Sequence, residues 1–361
     1  MSAPSAKGPL KGLRVIEMAG IGPAPFAAML LSDLGAEVIR IERPGSAAQP
    51  RDVTARGRVS LAVDLKAEEG RALALRAIGC ADVLIEGFRP GVMERLGLGP
   101  EVAHQHNPRL IYGRLTGWGQ SGPRAHTAGH DINYIALTGA LDAIGEADGP
   151  PVPPLNLLGD YGGGALYLVV GVLAALHERS GSGRGQVIDA AIVDGTASLM
   201  SLFHWLSHDG LTSMQRGRNM LGGAAPFYGT YRCSDDRHVA IGPLEPHFYA
   251  ILLQALGLSG LEREPPEVQR ERLAATFATR PRDHWAKMTE GLDACLAPVL
   301  SLDEGMSDPH MRARAVHETH FGVPQPAPAP RFSRTPGAVQ GPPPASGEGG
   351  LARLLEWEAR G

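Results

Sequence analysis

The chain has 361 residues, 43% hydrophobic and 20% charged, with a net charge of −4; this composition is ordinary for a globular enzyme of about two domains. Neither a basic footprint nor aromatic residues interleaved with Lys and Arg argue for nucleic acid. Cys80, Cys233 and Cys295 are odd in number and far apart, which supports neither a disulfide framework nor a zinc site and suits a reducing compartment.

The predicted elements alternate from the start. Residues 13–18 (Leu-Arg-Val-Ile-Glu-Met) read as a buried strand. A helix follows over about 25–34, with proline at its start and Gly35 at its end. Residues 37–42 form a second strand, closed by Arg43-Pro44. Such an opening implies a parallel sheet with a right-handed crossover. A helix over about 68–78 precedes a strand at 82–86, and a short helix near 91–96 leads to a strand at 109–112. The pattern is doubly wound α/β.

The first strand-helix turn, Gly20-Ile21-Gly22-Pro23-Ala24-Pro25, lacks the dinucleotide fingerprint. Its spacing is wrong, and prolines intrude where amides would meet a pyrophosphate. A nicotinamide dehydrogenase is therefore disfavoured, and no Gly-Lys-Ser/Thr phosphate loop occurs. Arg43, Lys66, Arg89 and Arg95 instead recur near strand ends. Each alone fits a solvated surface charge; together they suit a ligand crevice at the carboxyl ends of the strands.

Two glycine-flanked motifs stand at the centre: Gly129-His130-Asp131-Ile132-Asn133-Tyr134 and Gly159-Asp160-Tyr161-Gly162-Gly163-Gly164. Glycine lets backbone approach a ligand closely. Asp160 precedes a helical pattern over 165–177, where uncovered amides favour negative charge. An aspartate there also serves as an N-cap, and a lone histidine as a structural hydrogen-bonding residue. The apolar stretch 165–176 is too short to span a bilayer, and no secretory signal opens the chain. The expectation is a cytoplasmic protein without a membrane span.

A strand at 186–191 and a helix over 194–206 come next, then a Gly-rich linker over 207–227. Residues 228–233 and 238–242 read as a hairpin. Helices starting at Glu245-Pro246 and covering 267–279 and 282–290, with a strand at 296–302, make a small α+β unit. Residues 324–344 are Pro-rich and extended, and 351–357 suit a terminal helix.

These residues carry a resemblance to the class III (CaiB/BaiF-type) CoA transferase family, over nearly the whole chain. It rests on 13–17, on 34–44 (Leu-Gly-Ala-Glu-Val-Ile-Arg-Ile-Glu-Arg-Pro), on 83–92, on 117–123 (Gly-Trp-Gly-Gln-Ser-Gly-Pro) and on the two central motifs. His130 in the first motif is similar to the branch of racemases that act on 2-methylacyl-CoA thioesters, since transferase members often carry another residue there. The resemblance implies a Rossmann-like large domain from residues 1–206, completed by a return segment at 303–361. It implies a small domain at 228–302 and an interlocked homodimer. It also implies inversion of carbon 2 by proton transfer through an enolate, with His130 and Asp160 as the acid/base pair and the partner subunit's Glu245 orienting His130. Without the resemblance, Glu245 reads as a first-turn helix acid. Arg43, Arg89 and Arg95 would meet the CoA phosphates, and Val63, Leu65 and Lys66 would flank the adenine. Ile21, Pro23, Phe88 and Asp131 would complete the CoA-binding set. No metal or cofactor is expected beyond the CoA of the substrate.

The alternative is CoA transfer between carboxylic acids, with Asp160 as nucleophile. For inversion, two groups on opposite faces of a planar enolate remove and return a proton without turning the substrate. The enolate oxygen also needs donors, for which the amides near residues 160–163 are candidates.

Overall fold

A computed structural model describes residues 7–47 and 49–360. Two compact units make up the chain. One is built from residues up to Thr138, Pro154–Leu199 and Ala313 onward; the other from Gly139–Pro153 and Met200–Arg312.

The first unit is a parallel sheet with helices on both faces. β1 (Arg14–Met18) leads through α1 (Pro23–Asp33) to β2 (Glu37–Glu42), then β3 (Arg58–Ala62), α2 (Glu68–Cys80) and β4 (Val83–Glu86). The short helices α3 (Val92–Arg95) and α4 (Pro100–His106) precede β5 (Ile111–Thr116) and α5 (Asp131–Leu137). A continuous helix α6 (Leu157–Ser182) leads to β6 (Val187–Ala191), which runs into α7 (Ile192–Leu199). The strand order is β3-β2-β1-β4-β5-β6, with every pairing parallel. That is the Rossmann order, reversing direction between β1 and β4.

Side-chain alternation along the strands decides what each face covers. Val15, Val38, Val83 and Ile85 pack with Ala27 and Leu31 of α1 and with Leu168 and Val172 of α6. Ile16, Ile39, Leu84 and Tyr112 face the other way, against Ala74 and Ile78 of α2 and against Leu354 and Trp357. Those last two belong to the C-terminal helix Gly350–Ala359, so the end of the chain seals the sheet formed at its beginning.

Several boundaries differ from the sequence pattern for identifiable reasons. β3 escapes the pattern because polar residues point inward and are satisfied there. Arg58 pairs with the fully buried Glu17, and Ser60 Oγ donates to Glu42 Oε1 at 2.5 Å. β5 runs past the expected 109–112 because Arg114 is neutralised by Glu86 at 3.0 Å and Glu94 at 2.8 Å. The helix expected over 194–206 is two helices, broken at Met200. α6 begins at Leu157 rather than near 165. Its 26 residues are apolar and long enough to cross a membrane, but Gly164, Ala165, Leu168, Val169 and Val172 are buried in this unit. It is a core helix.

The second unit holds α8 (Ser201–His208) and an antiparallel sheet of β7 (Gly229–Arg232), β8 (His238–Ile241) and β9 (Leu296–Pro298). Tyr231, Val239 and Ile241 pack against Leu252 of α9 (Pro246–Ala255), Leu273 and Phe277 of α10 (Pro266–Phe277) and Trp285 of α11 (Arg282–Met288). β9 stops short of 302 because Ser301 caps a helix over Leu302–Ser307, with Glu304 closing the capping box.

A buried clasp ties distant parts of the first unit together. Arg56 makes a two-pronged pair with Asp33 at 3.0 and 2.5 Å, and also donates to Gln325 Oε1 at 2.7 Å and Pro326 O at 2.8 Å. Gln325 and Pro326 lie on a hairpin of His317–His320 and Val323–Pro326. Removing one partner of a buried pair strands the other charge, at about 3–5 kcal/mol. Arg56→Met is therefore expected to lose stability on that scale in urea titration; an unchanged midpoint would show that the clasp carries no stability.

Candidate active site

In an open α/β sheet the ligand crevice lies outside the carboxyl ends of the strands, where the order reverses. Here that point is between β1 and β4. The turn after β1 (Ile21, Gly22, Pro23) and the turn after β4 (Gly87, Phe88, Arg89, Pro90) both line a cavity of about 330 Å3. His130, Asp160, Trp118 and Tyr134 line it too. Gly22 has φ 76°, and a Cβ there would stand 3.2 Å from Asp160 Oδ2. The β1 turn thus touches the carboxylate, and glycine permits the approach.

His130 caps α5. Its amide donates to Asn133 Oδ1 at 3.0 Å, fixing the turn that carries the exposed imidazole. Behind it, the Tyr134 hydroxyl donates to Gly129 O, and the Tyr134 ring meets Trp118 edge-on with centroids 4.7 Å apart. A Cβ at Gly117 would fall 2.0 Å from the Tyr134 ring, and one at Gly129 2.7 Å away. Both glycines are therefore required by packing. Trp118 and Tyr134 are cavity residues that sequence reasoning did not single out, although both stand inside glycine-flanked family motifs.

Asp160 sits within the first turns of α6, not ahead of a helix. Residues 157–166 are wound as a π-helix, a rare wide form frequent at functional sites. The Asp160 amide donates to Asp131 Oδ1 at 2.6 Å, and the Tyr161 amide donates to Asn156 O at 3.2 Å. The Tyr161 ring stacks on Phe26 of α1 at 4.0 Å. These two amides are occupied, so they cannot serve as the enolate donors expected near 160–163. Burial, and next the negative charge of Asp131, push the Asp160 carboxyl up to about 6; His130 and a hydrogen bond from Asn156 pull the other way.

Of the other residues singled out from the sequence, Ile21, Pro23, Phe88 and Arg89 share this cavity with His130 and Asp160. Asp131 stands just behind, its carboxylate engaged with the Asp160 amide. Arg43 is exposed where β2 ends, and Val63, Leu65 and Lys66 follow β3. Val63 is buried and Leu65 half-buried against the Ile41 and Leu61 cluster, while Lys66 is exposed. Arg95, also exposed, ends α3. These five lie outside the cavity lining, at the carboxyl ends of β2 and β3 or beyond the β4 turn. Glu245 is the exposed N-cap of α9 in the second unit.

The sequence profile of CoA-transferase family III matches residues 10–349. The chain is 48% identical to alpha-methylacyl-CoA racemase of Mus musculus over 91% of this chain and 87% of that one. It is 44% identical to the Homo sapiens protein of that name, over 91% and 90%. With succinyl-CoA–D-citramalate CoA-transferase of Chloroflexus aurantiacus the identity is 33%, over 96% and 94%. A solved CAIB/BAIF family protein from Brucella suis superimposes with TM-score 0.82 at 29% identity, covering 97% of this chain and all of that one (100%). Sequence and fold agree over almost the full length: the chain belongs to CoA-transferase family III.

Proposed function

We propose that the protein is a racemase that inverts carbon 2 of 2-methylacyl-CoA thioesters by 1,1-proton transfer through an enolate. The observation that carries this reading is an imidazole and a carboxyl, His130 and Asp160, opening on one cavity at the switch point of the sheet. Higher identity to two proteins named as racemases than to the transferase supports it and disfavours CoA transfer through Asp160.

One group takes the proton from carbon 2, the electron pair moves onto the thioester oxygen, and the other group delivers a proton to the opposite face. An imidazole exchanges protons near neutral pH. A carboxyl titrating at about 6 does so as well, and it is a stronger base than an ordinary aspartate. General acid/base help is worth about 3–6 kcal/mol, so a weak carbon acid also needs its enolate oxygen stabilised, at about 3–4 kcal/mol per donor. With the Asp160 and Tyr161 amides occupied, the donors fall to α5, where the amides of Asp131 and Ile132 head the helix beside His130 and precede any intrahelical acceptor.

The CoA moiety is assigned to the carboxyl ends of β1 to β4. Arg43, Arg89 and Arg95 meet its phosphates with forked guanidinium groups; Val63, Leu65 and Lys66 flank the adenine, and Ile21, Pro23 and Phe88 the remainder. The working form is assigned as an interlocked homodimer in which the partner subunit's Glu245 orients His130.

With a single enantiomer of a 2-methylacyl-CoA in deuterated water, the parent should give both label at carbon 2 and inversion. His130→Ala should lose about 10²–10⁴-fold of exchange from at least one enantiomer; parental rates with both would remove His130 from the mechanism. For the enantiomer that Asp160 deprotonates, kcat/KM should fall tenfold per pH unit below about 6, because protonation there removes the base; a flat profile down to pH 5 would contradict the assignment. Shared sites are tested by co-expressing His130→Ala and Glu245→Ala chains. The mixed dimer regains one intact site when Glu245 acts across the interface and none when it acts within its own chain.

A further inference from the structure

We propose that Asp131 is a positioning residue for this reaction: its carboxylate, wedged between α5 and α6, holds the backbone at Asp160 and sets a negative charge beside the catalytic carboxyl. This role rests on Asp160 being a proton-transfer group.

The geometry leaves Asp131 little freedom. Its Oδ1 accepts the Asp160 amide at 2.6 Å across 29 residues of sequence. Gly159 passes so close that a Cβ there would stand 2.3 Å from the same oxygen and 2.9 Å from Ile135 Cγ2. The carboxylate is thus wedged between the first turn of α5 and the wide turn of α6. A charge-assisted bond of this length anchors the peptide that carries the catalytic carboxyl. It also sets one carboxylate beside another, where like charges disfavour the second ionisation.

The groups facing Asp160 are few. From α5 come His130, Asp131 and Tyr134, from the start of α6 Asn156, and from the β4 turn Arg89, which acts on Tyr134. Burial and then the charge of Asp160 itself keep the Tyr134 hydroxyl protonated, so it does not compete as an acid. His130 and Asn156 favour the ionised form of Asp160, and Asp131 alone among these side chains opposes it. Burial raises the carboxyl most and the charge of Asp131 adds to that rise, which brings it to about 6 and suits a group that must both take and return a proton. An asparagine would offer the amide the same oxygen, so the charge is the part that separates this role from mere support.

The test uses the full-length chain carrying 13C at its aspartate carboxyls, with the Asp160 resonance identified by its loss in Asp160→Asn. In Asp131→Asn, which keeps the acceptor oxygen and removes the charge, the Asp160 titration midpoint should fall by about half a pH unit or more. Asp131→Ser is the second variant should the first not fold, with the same fall expected. The acid limb of kcat/KM for the enantiomer that Asp160 deprotonates should move down with the midpoint. A midpoint unchanged from the parent in the folded variants overturns the role. The titration does not depend on turnover: a parent that exchanges no proton defeats the racemase reading, while the coupling of the two carboxyls is still decided by NMR.

Discussion

A contact between two backbones governs the site. Gly163 of α6 lies against Gly195 of α7 so closely that a Cβ on Gly195 would stand 1.9 Å from the Gly163 carbonyl oxygen. A Cβ on Gly163 would stand 2.5 Å from Thr196 Oγ1, and one on Gly164 2.9 Å from Ile192 Cγ1. No other residue type fits these positions. The contact fixes the wide turn against a helix that continues directly from β6, so the carboxyl of Asp160 takes its place from the sheet itself. Catalytic groups need placement within a fraction of an ångström, and here a rigid element supplies it.

A second constraint comes from charge inside the sheet. Glu86, fully buried at the end of β4, accepts from Arg114 at 3.0 Å with one oxygen and from the Phe88 amide at 2.7 Å with the other. Burial raises its carboxyl, and the Phe88 amide and Arg114 act against that rise. Such pairs add little net stability compared with apolar packing. What this one does is shape a turn: the Glu86 bond to Phe88 bends the chain where Phe88 and Arg89 enter the cavity. The β1 side has a parallel arrangement in Glu17 and Arg58, whose guanidinium also donates to the carbonyls of Thr54 and Pro25.

Legibility followed the range of the forces involved. β1, α1 and β2 were readable because apolar runs and Pro/Gly punctuation are local. β3 was not, since its inward Arg58 and Ser60 are satisfied by Glu17 and Glu42 from other strands. The start of α6 was hidden by glycines, poor helix formers that hold a helix here only because α7 and α5 pack on them. His130 and Asp160 were visible through their glycine flanks and the family motifs. Tyr134, Trp118 and the bond from Asp160 to Asp131 were not, because each depends on which segments meet in space.

The C-terminal segment gives this architecture a timing. The Gly347 amide bonds to Ser60 Oγ across 287 residues, the Arg56 clasp waits for Gln325, and Trp357 covers Ile39 and Leu61. At about 5–20 residues per second of synthesis, roughly 15–60 s pass between the emergence of β3 and that of its cover. Throughout that interval α2 covers part of this face, and the part over β2 and β3 that the C-terminal helix will cover stays wet and adhesive. A ribosome that stalls late, or a nick that removes the last few dozen residues, therefore leaves an uncapped sheet rather than a slightly shorter enzyme.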